Sequence, residues 1–180
     1  MTAPLGAVLC GGASRRMGVD KTLLVVDGVA MARRVADALL LAGCSPVVAV
    51  GGDSRELRSL GLEHVDDDFP GEGPLGGILT ALAHGGPAAV VACDLPHIEA
   101  ATVTTLIDAL GVHDAAIAYT DRAQPLCAVW SPMAAAPLRA QFMAGERAVH
   151  RAITALDIIW VKVPPGDVRN INTPDDLRTL

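Results

Sequence analysis

The sequence predicts a single α/β domain in which a doubly wound, mostly parallel sheet lies between two layers of helices, a three-layer αβα arrangement. Short apolar runs alternate with helix-length amphipathic stretches, and this alternation is typical of parallel sheets covered on both faces. Polar or glycine-rich segments directly follow two of the apolar runs, where ligands bind in such sheets. The length of 180 residues, without repeats or linkers, predicts one domain over residues 1–180.

In the first half of the chain, apolar runs bounded by turn residues predict strands, and apolar residues at helical spacing predict helices. The predicted strands are Gly6–Leu9, Pro46–Val50, His64–Val65 and the run AAVVAC, which stops at Asp94. The predicted helices are Val29–Leu41, Asp53–Leu60 and the segment GPLGGILTALAH. Gly43 is suited to end the first of these helices, and Pro74 is suited to the first turn of the third.

The second half continues the alternation. Its predicted helices are Glu99–Leu110, Pro132–Met143 and Glu146–Ala155. Its predicted strands are Ala115–Ala118, Leu126–Trp130 and Ile158–Val163. A short terminal helix is expected after Thr173, because a capping residue followed by Pro174 is typical of a helix start. These elements complete the predicted three-layer domain.

The charge and the apolar pattern exclude two classes of binding protein. The formal net charge is −6, whereas general binders of nucleic acid or of anionic membranes need an extended basic surface. No apolar run is long enough to cross a bilayer, and the N-terminus lacks the pattern of a signal peptide. We therefore expect a soluble, cytoplasmic protein with no nucleic-acid and no membrane partner.

The four cysteines lie far apart and form neither a Cys-x-x-Cys pair nor the spacing of a zinc site. They are expected to be reduced thiols that behave as small apolar residues. Cys10 and Cys93 follow strands that would be neighbours in the usual strand order, which leaves a redox-sensitive pair as an open alternative. Mass spectrometry after mild oxidation would test it, since two unmodified thiols would exclude the pair.

Two segments at predicted strand ends contain the residues best suited to chemistry, CGGASRRMGVDK and CDLP. In the first, adjacent glycines let a ligand approach the backbone, and Arg15, Arg16 and Lys21 supply positive charge for an anion. Its spacing fits neither a Walker loop nor the G-x-G-x-x-G dinucleotide fingerprint. In the second, Asp94 ends an apolar strand, which indicates either a metal ligand or the N-cap of a helix that starts at Pro96.

The first segment resembles the nucleotidyltransferase signature L-x-G-G-x-S-x-R-M-G-x-x-K, from Leu9 to Lys21. Four later segments are similar, in the same order, to motifs of the molybdenum cofactor guanylyltransferases: DDDFPGEGPLGGI, CDLPHI, GERAV and NINTPDDL. Together the five motifs extend from Leu9 to Leu177. Five motifs in the right order rarely arise by chance, so the chain is identified as a member of this family by resemblance.

The resemblance implies transfer of GMP from GTP to molybdopterin, or to its molybdenum form, with Mg²⁺ as the cofactor and pyrophosphate as the second product. It also implies transient contacts with proteins that supply molybdopterin and with recipient molybdoenzymes. The site residues that it implies are Leu9, Cys10, Gly11 and Gly12 for the base and ribose, Lys21 for the phosphates, Asp67 for the guanine or ribose side, Asp94 for magnesium, Asn170 and Asn172 for the pterin side or a place near the metal, and Arg16, Lys21 and Asp94 for catalysis.

Several alternatives stay open from the sequence. Cys10 replaces the family's usual alanine, and VAVGGDS lacks an asparagine that the family often has after its second strand, so base contacts there are in doubt. Asp66 and Asp68 are also compatible with a merely charged loop, and Asn172 with a helix cap. A cytidylyltransferase for the same pterin, a guanylyltransferase for another phosphorylated metabolite and an inactive nucleotide-binding regulatory subunit are the alternative functions.

Overall fold

Strands and helices alternate along the chain in the computed structural model, which describes residues 2–11 and 21–171. The strands are β1 (Leu5–Leu9), β2 (Val25–Val26), β3 (Val29–Ala30), β4 (Val47–Val50), β5 (Glu63–Val65), β6 (Ala88–Ala92), β7 (Ala115–Tyr119), β8 (Ala123–Trp130) and β9 (Ile158–Lys162). The helices are α1 (Met31–Leu41), α2 (Ser54–Ser59), α3 (Pro74–Leu82), α4 (Ala100–Leu110), α5 (Ala135–Met143) and α6 (Val149–Ala152). The terminal helix predicted after Thr173 lies outside the described residues.

Within the described part of the chain, seven strands form one sheet in the order β5-β4-β1-β6-β8-β7-β9. All neighbouring pairs are parallel except those of β8, which runs antiparallel to both β6 and β7. In the centre of the sheet, Leu9 of β1 is level with Val50 of β4 and with Ala92 of β6. The carboxyl ends of three adjacent strands therefore finish at the same height, along one edge of the sheet.

Helices cover both faces of this sheet, which confirms the predicted three-layer α/β class. Buried residues of α1, α2 and α4 form one core with the strands, and buried residues of α3, α5 and α6 form the other. Alanine and valine dominate the strands, and Trp130 is a fully buried aromatic residue among them. Among the described residues, no helix is both long and apolar enough to span a membrane.

The helix predicted over Val29–Leu41 starts two residues later, at Met31, because a hairpin precedes it. Strands β2 and β3 pair antiparallel around Asp27 and Gly28, whose φ angles are 50° and 81°. Asp-Gly between apolar residues favours this kind of two-residue turn, since both positions need a positive φ. The end of the helix agrees with the prediction, because Gly43 follows it with a φ of 90°.

The helix predicted over Glu146–Ala155 is shorter and irregular. Its α-helical part is Val149–Ala152, followed by a 3-10 turn over Ile153–Ala155. Glu146 ends the preceding segment, because its carboxylate accepts hydrogen bonds from the backbone N–H groups of Arg147 and Ala148, at 2.8 Å each. Local side-chain bonds of this kind satisfy the same N–H groups without a helical turn.

Other element ends also differ from the prediction, by one to three residues. The helix predicted from Glu99 starts at Ala100, with Glu99 at its N-cap position. The segment Pro132–Met143 begins as a 3-10 turn, in which the Ser131 hydroxyl accepts a hydrogen bond from the backbone N–H of Met133. Strand β8 begins at Ala123, three residues before the predicted start, because it pairs with β7 almost to the tip of their hairpin.

Glu146 makes the stability of this region depend on acid. Hydrogen bonds from Arg151, and then from the Ala148 N–H, lower the pKa of Glu146 from its ordinary value near 4.5 to about 2. A carboxylate whose pKa is depressed on folding stabilises the protein above its unfolded pKa, and that contribution is lost as the pH falls through the folded pKa.

We expect Glu146→Gln to lower the free energy of unfolding at pH 7, and the difference from the wild type to shrink between about pH 4.5 and pH 2. Urea unfolding at several pH values measures this difference. A difference that stays constant over the whole range would contradict the assignment of the low pKa to Glu146. Glu56→Gln, at a partly exposed position of α2, is the matched control.

Candidate functional site

The predicted nucleotide residues lie at the carboxyl edge of the central strands. The Cys10 N–H donates to the Val50 carbonyl at 2.9 Å, and the Cys93 N–H donates to the Leu9 carbonyl at 3.1 Å. These bonds extend the pairing of β1 with β4 and β6 by one residue beyond the strands. Gly11 follows immediately and is exposed. The edge is the place where open α/β sheets bind their ligands.

Asp67 and Gly11, which are far apart in the sequence, face each other at this edge. A methyl group added at Gly11 would lie 3.7 Å from Oδ2 of Asp67. The other carboxylate oxygen, Oδ1, accepts hydrogen bonds from the Phe69 N–H at 2.9 Å and from the Thr80 hydroxyl at 3.2 Å. Asp67 is therefore held in place by Thr80 of α3, and its Oδ2 atom is directed towards Gly11.

The three aspartates of this loop differ, as the sequence analysis expects. Asp66 has a fully exposed side chain, and its Oδ1 atom lies 3.9 Å from Nδ1 of His64. Asp68 is exposed, and its backbone N–H donates to the Thr80 hydroxyl at 3.1 Å. Asp67 alone of the three is directed at Gly11, so it is the candidate for a ligand contact.

Gly51 and Gly52, which follow β4, lie directly against Gly11 and Cys10 at this edge. Their φ angles are 70° and 79°, which strongly favour glycine. A methyl group at Gly51 would lie 3.1 Å from the Cα atom of Gly11, and one at Gly52 would lie 3.1 Å from the Cβ atom of Cys10. The sequence contains a signal for this contact, because two glycines follow Cys10 at the end of β1 and two glycines directly follow β4, as in AVLCGG and VAVGG.

Leu9 and Cys10 contribute less of their side chains to the edge than the resemblance implies. They are 7% and 8% exposed, and the Leu9 side chain lies within 3.0 Å of the position that a methyl group on Gly77 of α3 would take. Both residues belong to the hydrophobic core. Any contact with a ligand from these two positions would come from the backbone, whereas Gly11 is directly accessible.

Asp94 follows β6 on the other side of β1 and lies next to Asn170. Its Oδ2 atom is 3.4 Å from Nδ2 of Asn170, and its backbone carbonyl accepts a hydrogen bond from the Ile171 N–H at 2.9 Å. Turns rather than a helix follow Asp94, and α4 has Glu99 at its N-cap. The alternative that Asp94 caps a helix starting at Pro96 is therefore wrong.

The donor set around Asp94 fits a magnesium ion that arrives with a nucleotide. Mg²⁺ is usually bound by one or two carboxylates together with substrate phosphates and water, rather than by a complete protein cage. Among the described residues, no three histidine, cysteine, aspartate or glutamate side chains are placed so that they could hold a metal ion together. The carboxylate of Asp94, beside the amide of Asn170, fits an ion whose other ligands are substrate phosphates and water.

Three of the implied residues, Gly12, Arg16 and Asn172, lie outside the described residues, so their roles stay predictions. Lys21 begins a 3-10 turn, Lys21–Leu23, directly before the β2–β3 hairpin. The next residue, Thr22, is buried with 1% exposure. The backbone of Lys21 is therefore anchored next to the core.

A polar groove of about 610 Å³ opens beside Asn170. It lies between the β7–β8 turn and the segment after β9, and its lining includes Arg122, Gln124, Arg169 and Asn170. The hydrogen bond from the Thr120 hydroxyl keeps the pKa of the exposed Asp121 carboxyl below its ordinary value. Two guanidinium groups and one carboxylate therefore line a groove that adjoins the Asp94 side of the edge.

The cysteines have the structural role that their spacing predicts. None of the four, all of which lie in the described residues, forms a disulfide. Burial raises the pKa of Cys44 to about 11 and, together with the charge of Asp167, raises the pKa of Cys127 to about 12, which disfavours the reactive thiolate. Cys10 and Cys93 do follow neighbouring strands, and the redox pair stays a prediction.

Comparison with known proteins connects this edge to a family. Residues 6–159 match the family described as MobA-like NTP transferase domain. The chain is 38% identical to the "Probable molybdenum cofactor guanylyltransferase" of Chloroflexus aggregans, over 97% of this chain and 92% of that protein. It is 34% identical to the molybdenum cofactor guanylyltransferase of Rhizobium meliloti, over 98% of this chain and 90% of that protein.

A solved structure agrees with these relatives. Molybdopterin-guanine dinucleotide biosynthesis protein A of Archaeoglobus fulgidus superposes with a TM-score of 0.79 at 29% identity, covering 97% of this chain and 95% of the other. The chain therefore belongs to the MobA-like NTP transferase family and is a nucleotidyltransferase.

Proposed function

We propose that the protein transfers the GMP moiety of GTP to molybdopterin, or to its molybdenum form, and releases pyrophosphate in the presence of Mg²⁺. The observation that carries the proposal is the arrangement of the edge. Gly11 and Asp67 lie on one side of it, and Asp94 with Asn170 lies on the other. The names of the full-length relatives support guanine as the base and the molybdenum cofactor as the acceptor. The cytoplasmic location stays a prediction.

The nucleotide side of the proposal assigns one task to each group. The accessible backbone at Gly11 lets the base and ribose approach closely, and Asp67 Oδ2 can accept a hydrogen bond from a guanine N–H or a ribose hydroxyl. Lys21 and Arg16 would neutralise the phosphates, because charge builds up on the departing pyrophosphate. Asp94 would hold the magnesium ion, which supplies further positive charge to the phosphate oxygens when bound.

The acceptor side of the proposal uses the groove beside Asn170. Molybdopterin ends in a phosphate monoester, and Arg122 and Arg169 line the groove together with Asn170, whose Nδ2 atom lies 3.4 Å from Oδ2 of Asp94. Guanidinium groups bind phosphate oxygens with two parallel hydrogen bonds, which fixes orientation as well as charge. A phosphate monoester is mostly dianionic near neutral pH, so its oxygen can attack the α-phosphorus without a strong general base. The protein's main task is therefore to align the two phosphates.

A nucleotide panel tests the proposal directly. Purified protein is incubated with molybdopterin, Mg²⁺ and one of GTP, CTP, ATP or UTP, and pyrophosphate and dinucleotide are measured. We expect both products with GTP and far less with the other three. Products with CTP alone would indicate the cytidylyltransferase alternative. Binding of GTP by calorimetry without turnover would indicate the inactive regulatory subunit, and neither binding nor turnover would overturn the assignment.

Gly11→Ala tests whether this glycine selects the base. A methyl group at Gly11 fits the protein itself, since its nearest neighbours would be 3.7 and 3.9 Å away. It would project towards the ligand, where a purine needs more room than a pyrimidine. We expect kcat/KM for GTP to fall more than for CTP, so that the preference for GTP decreases by roughly 10- to 100-fold.

The matched control for this variant is Gly86→Ala, because Gly86 also has open space around it and no positive φ, but lies in the turn before β6. It should leave both nucleotides unchanged. If Gly11→Ala lowers kcat/KM equally for GTP and CTP, Gly11 serves the backbone turn and not the choice of base.

A further inference from the structure

Residues 69–73 form a loop that joins the Asp67 segment to the start of α3. The Phe69 N–H donates to Asp67 Oδ1 at 2.9 Å, and the Glu72 N–H donates to the Phe69 carbonyl at 3.1 Å. Gly71 and Gly73 have φ angles of 83° and 84°. A loop with two such glycines has many accessible conformations in the absence of other contacts. Its native conformation therefore needs support from outside the loop.

Arg147, from the GERAV segment between α5 and α6, supplies that support. Its Nε atom donates to Oε2 of Glu72 at 2.5 Å. Its Nη1 atom donates to the carbonyls of Phe142 at 2.7 Å and Glu146 at 3.0 Å. The guanidinium carbon lies 4.0 Å from the centroid of the Phe142 ring, within the range of a cation–π interaction. The guanidinium group is thus fixed to the end of α5 and the turn after it, and it connects them to Glu72.

Aromatic contacts hold Phe69, at the start of the loop, to α5. The rings of Phe69 and Phe142 lie 4.7 Å apart between centroids, with a tilt of 56°. The Phe69 Cβ atom lies 2.9 Å from the position that a methyl group on Gly76 would take, so Phe69 rests directly on α3. Through these contacts α5 and Arg147 restrain both ends of the loop, and through Phe69 they restrain Asp67.

We propose that Arg147 is a positioning residue for the nucleotide, which keeps residues 69–73 and Asp67 in the binding conformation before the nucleotide arrives. This inference rests on the proposed function, because it takes the Gly11–Asp67 edge as the nucleotide side. The Arg147–Glu72 ion pair is half-exposed, with side chains 41% and 49% accessible, and such a pair alone contributes little to stability. Its effect is expected in the population of the ordered loop.

The consequence for binding follows from population arithmetic. If the ordered loop falls to a fraction of the molecules, the apparent Kd for the nucleotide rises by the inverse of that fraction. Nucleotide at saturating concentration restores the ordered loop, so the rate of the chemical step should change little. A positioning role in this loop therefore predicts a change in Kd and KM for the nucleotide, with kcat and the KM of the acceptor nearly constant.

The test compares Arg147→Gln, Arg147→Lys and Glu72→Gln with Arg151→Gln as the matched control. Arg151 also bonds to Glu146, at 2.6 and 2.8 Å, but none of its hydrogen bonds reaches residues 69–73. We expect a 5- to 20-fold higher Kd for GTP in Arg147→Gln, which corresponds to an ordered loop in about 20% to 5% of the molecules. Arg147→Lys should be intermediate, because it keeps the charge but loses the planar group that bonds to Glu72 and to the two backbone carbonyls at once. Arg151→Gln should stay within about twofold of the wild type.

Hydrogen exchange of the nucleotide-free protein provides a readout that does not depend on the reaction. Arg147→Gln and Glu72→Gln should exchange faster at residues 69–73, and Arg151→Gln should not. If the wild type fails to bind GTP, the proposed function fails, but this comparison still tests the support of the loop. Unchanged exchange in Arg147→Gln would overturn the inference.

Two further results would overturn it. The first is a fall in kcat at constant Kd, which would place Arg147 in the chemical step. The second is an equal effect of Arg151→Gln and Arg147→Gln, which would mean that only the turn before α6 matters. If Arg147→Gln loses its fold, seen as a lowered thermal midpoint, the comparison relies on Glu72→Gln and Arg147→Lys. Glu72→Gln keeps Arg147 and its contacts with α5, and Arg147→Lys keeps the positive charge.

Discussion

Asp94→Ala is expected to abolish most turnover, by on the order of 10²-fold or more, while leaving the fold intact. The reason for the large effect is that loss of one electrostatic contact to charge that develops during the reaction typically has this size. The fold should survive because the substitution keeps the backbone carbonyl of Asp94, which accepts a hydrogen bond from the Ile171 N–H at 2.9 Å. Steady-state kinetics and circular dichroism measure the two parts.

The control for Asp94→Ala is Asp66→Ala, since Asp66 is a carboxylate near the same edge with a fully exposed side chain. It should retain wild-type rates. Removal of magnesium from the wild type should lower the rate as Asp94→Ala does, because the variant lacks the only strong protein carboxylate proposed to hold the ion. Rates of Asp94→Ala with and without a chelator should therefore coincide. A large residual effect of the chelator would move the metal site towards Asp67 or Asp68.

Lys21→Ala is expected to reduce turnover by a similar factor, on the order of 10²-fold, and to weaken GTP binding as well. A lysine that contacts the phosphates acts on both the bound nucleotide and the departing pyrophosphate, whereas the metal ligand acts mainly during transfer. Binding of guanosine, which has no phosphates, should be unchanged. Calorimetry with GTP and with guanosine separates these two expectations.

Lys162→Ala is the matched control for Lys21→Ala. Lys162 is the other lysine of the sequence, and it is exposed on the edge strand β9. It should leave both GTP binding and turnover unchanged. Near-wild-type rates in Lys21→Ala, or an equal loss in Lys162→Ala, would show that the charge of Lys21 has no specific role at the phosphates.

Local pattern was sufficient for most elements of the fold. The fully apolar run AAVVA reads as a buried central strand, and β6 is buried at all five positions. Pro74 occupies the first turn of α3, and Gly43 follows α1 with a positive φ. In these places the residue types restrict the backbone directly, so short windows of sequence carry the information. The Asp27–Gly28 hairpin belongs to the same class, and its signal was overlooked rather than absent.

The direction of β8 could not be read from its own residues. An apolar run such as Leu126–Trp130 predicts a strand but is equally compatible with parallel and antiparallel pairing. The short turn from Tyr119 to Ala123 requires a hairpin, because a parallel connection needs a dozen or more residues. The turn is this short because β8 starts at Ala123. Pairing with β7 sets that start, and the residues of β8 alone do not.

By itself the sequence determined the α/β class and most of the elements, and it named the candidates for binding a nucleotide and a metal, because each of these depends on residue types within a few positions. Only the tertiary structure decided which of them meet. The contact of Gly51 with Gly11, the direction of Asp67 Oδ2 and the bond from Arg147 to Glu72, 75 positions apart, arise from strand order and layer packing. Contacts between distant positions depend on the whole arrangement of layers, which no local window of residues contains.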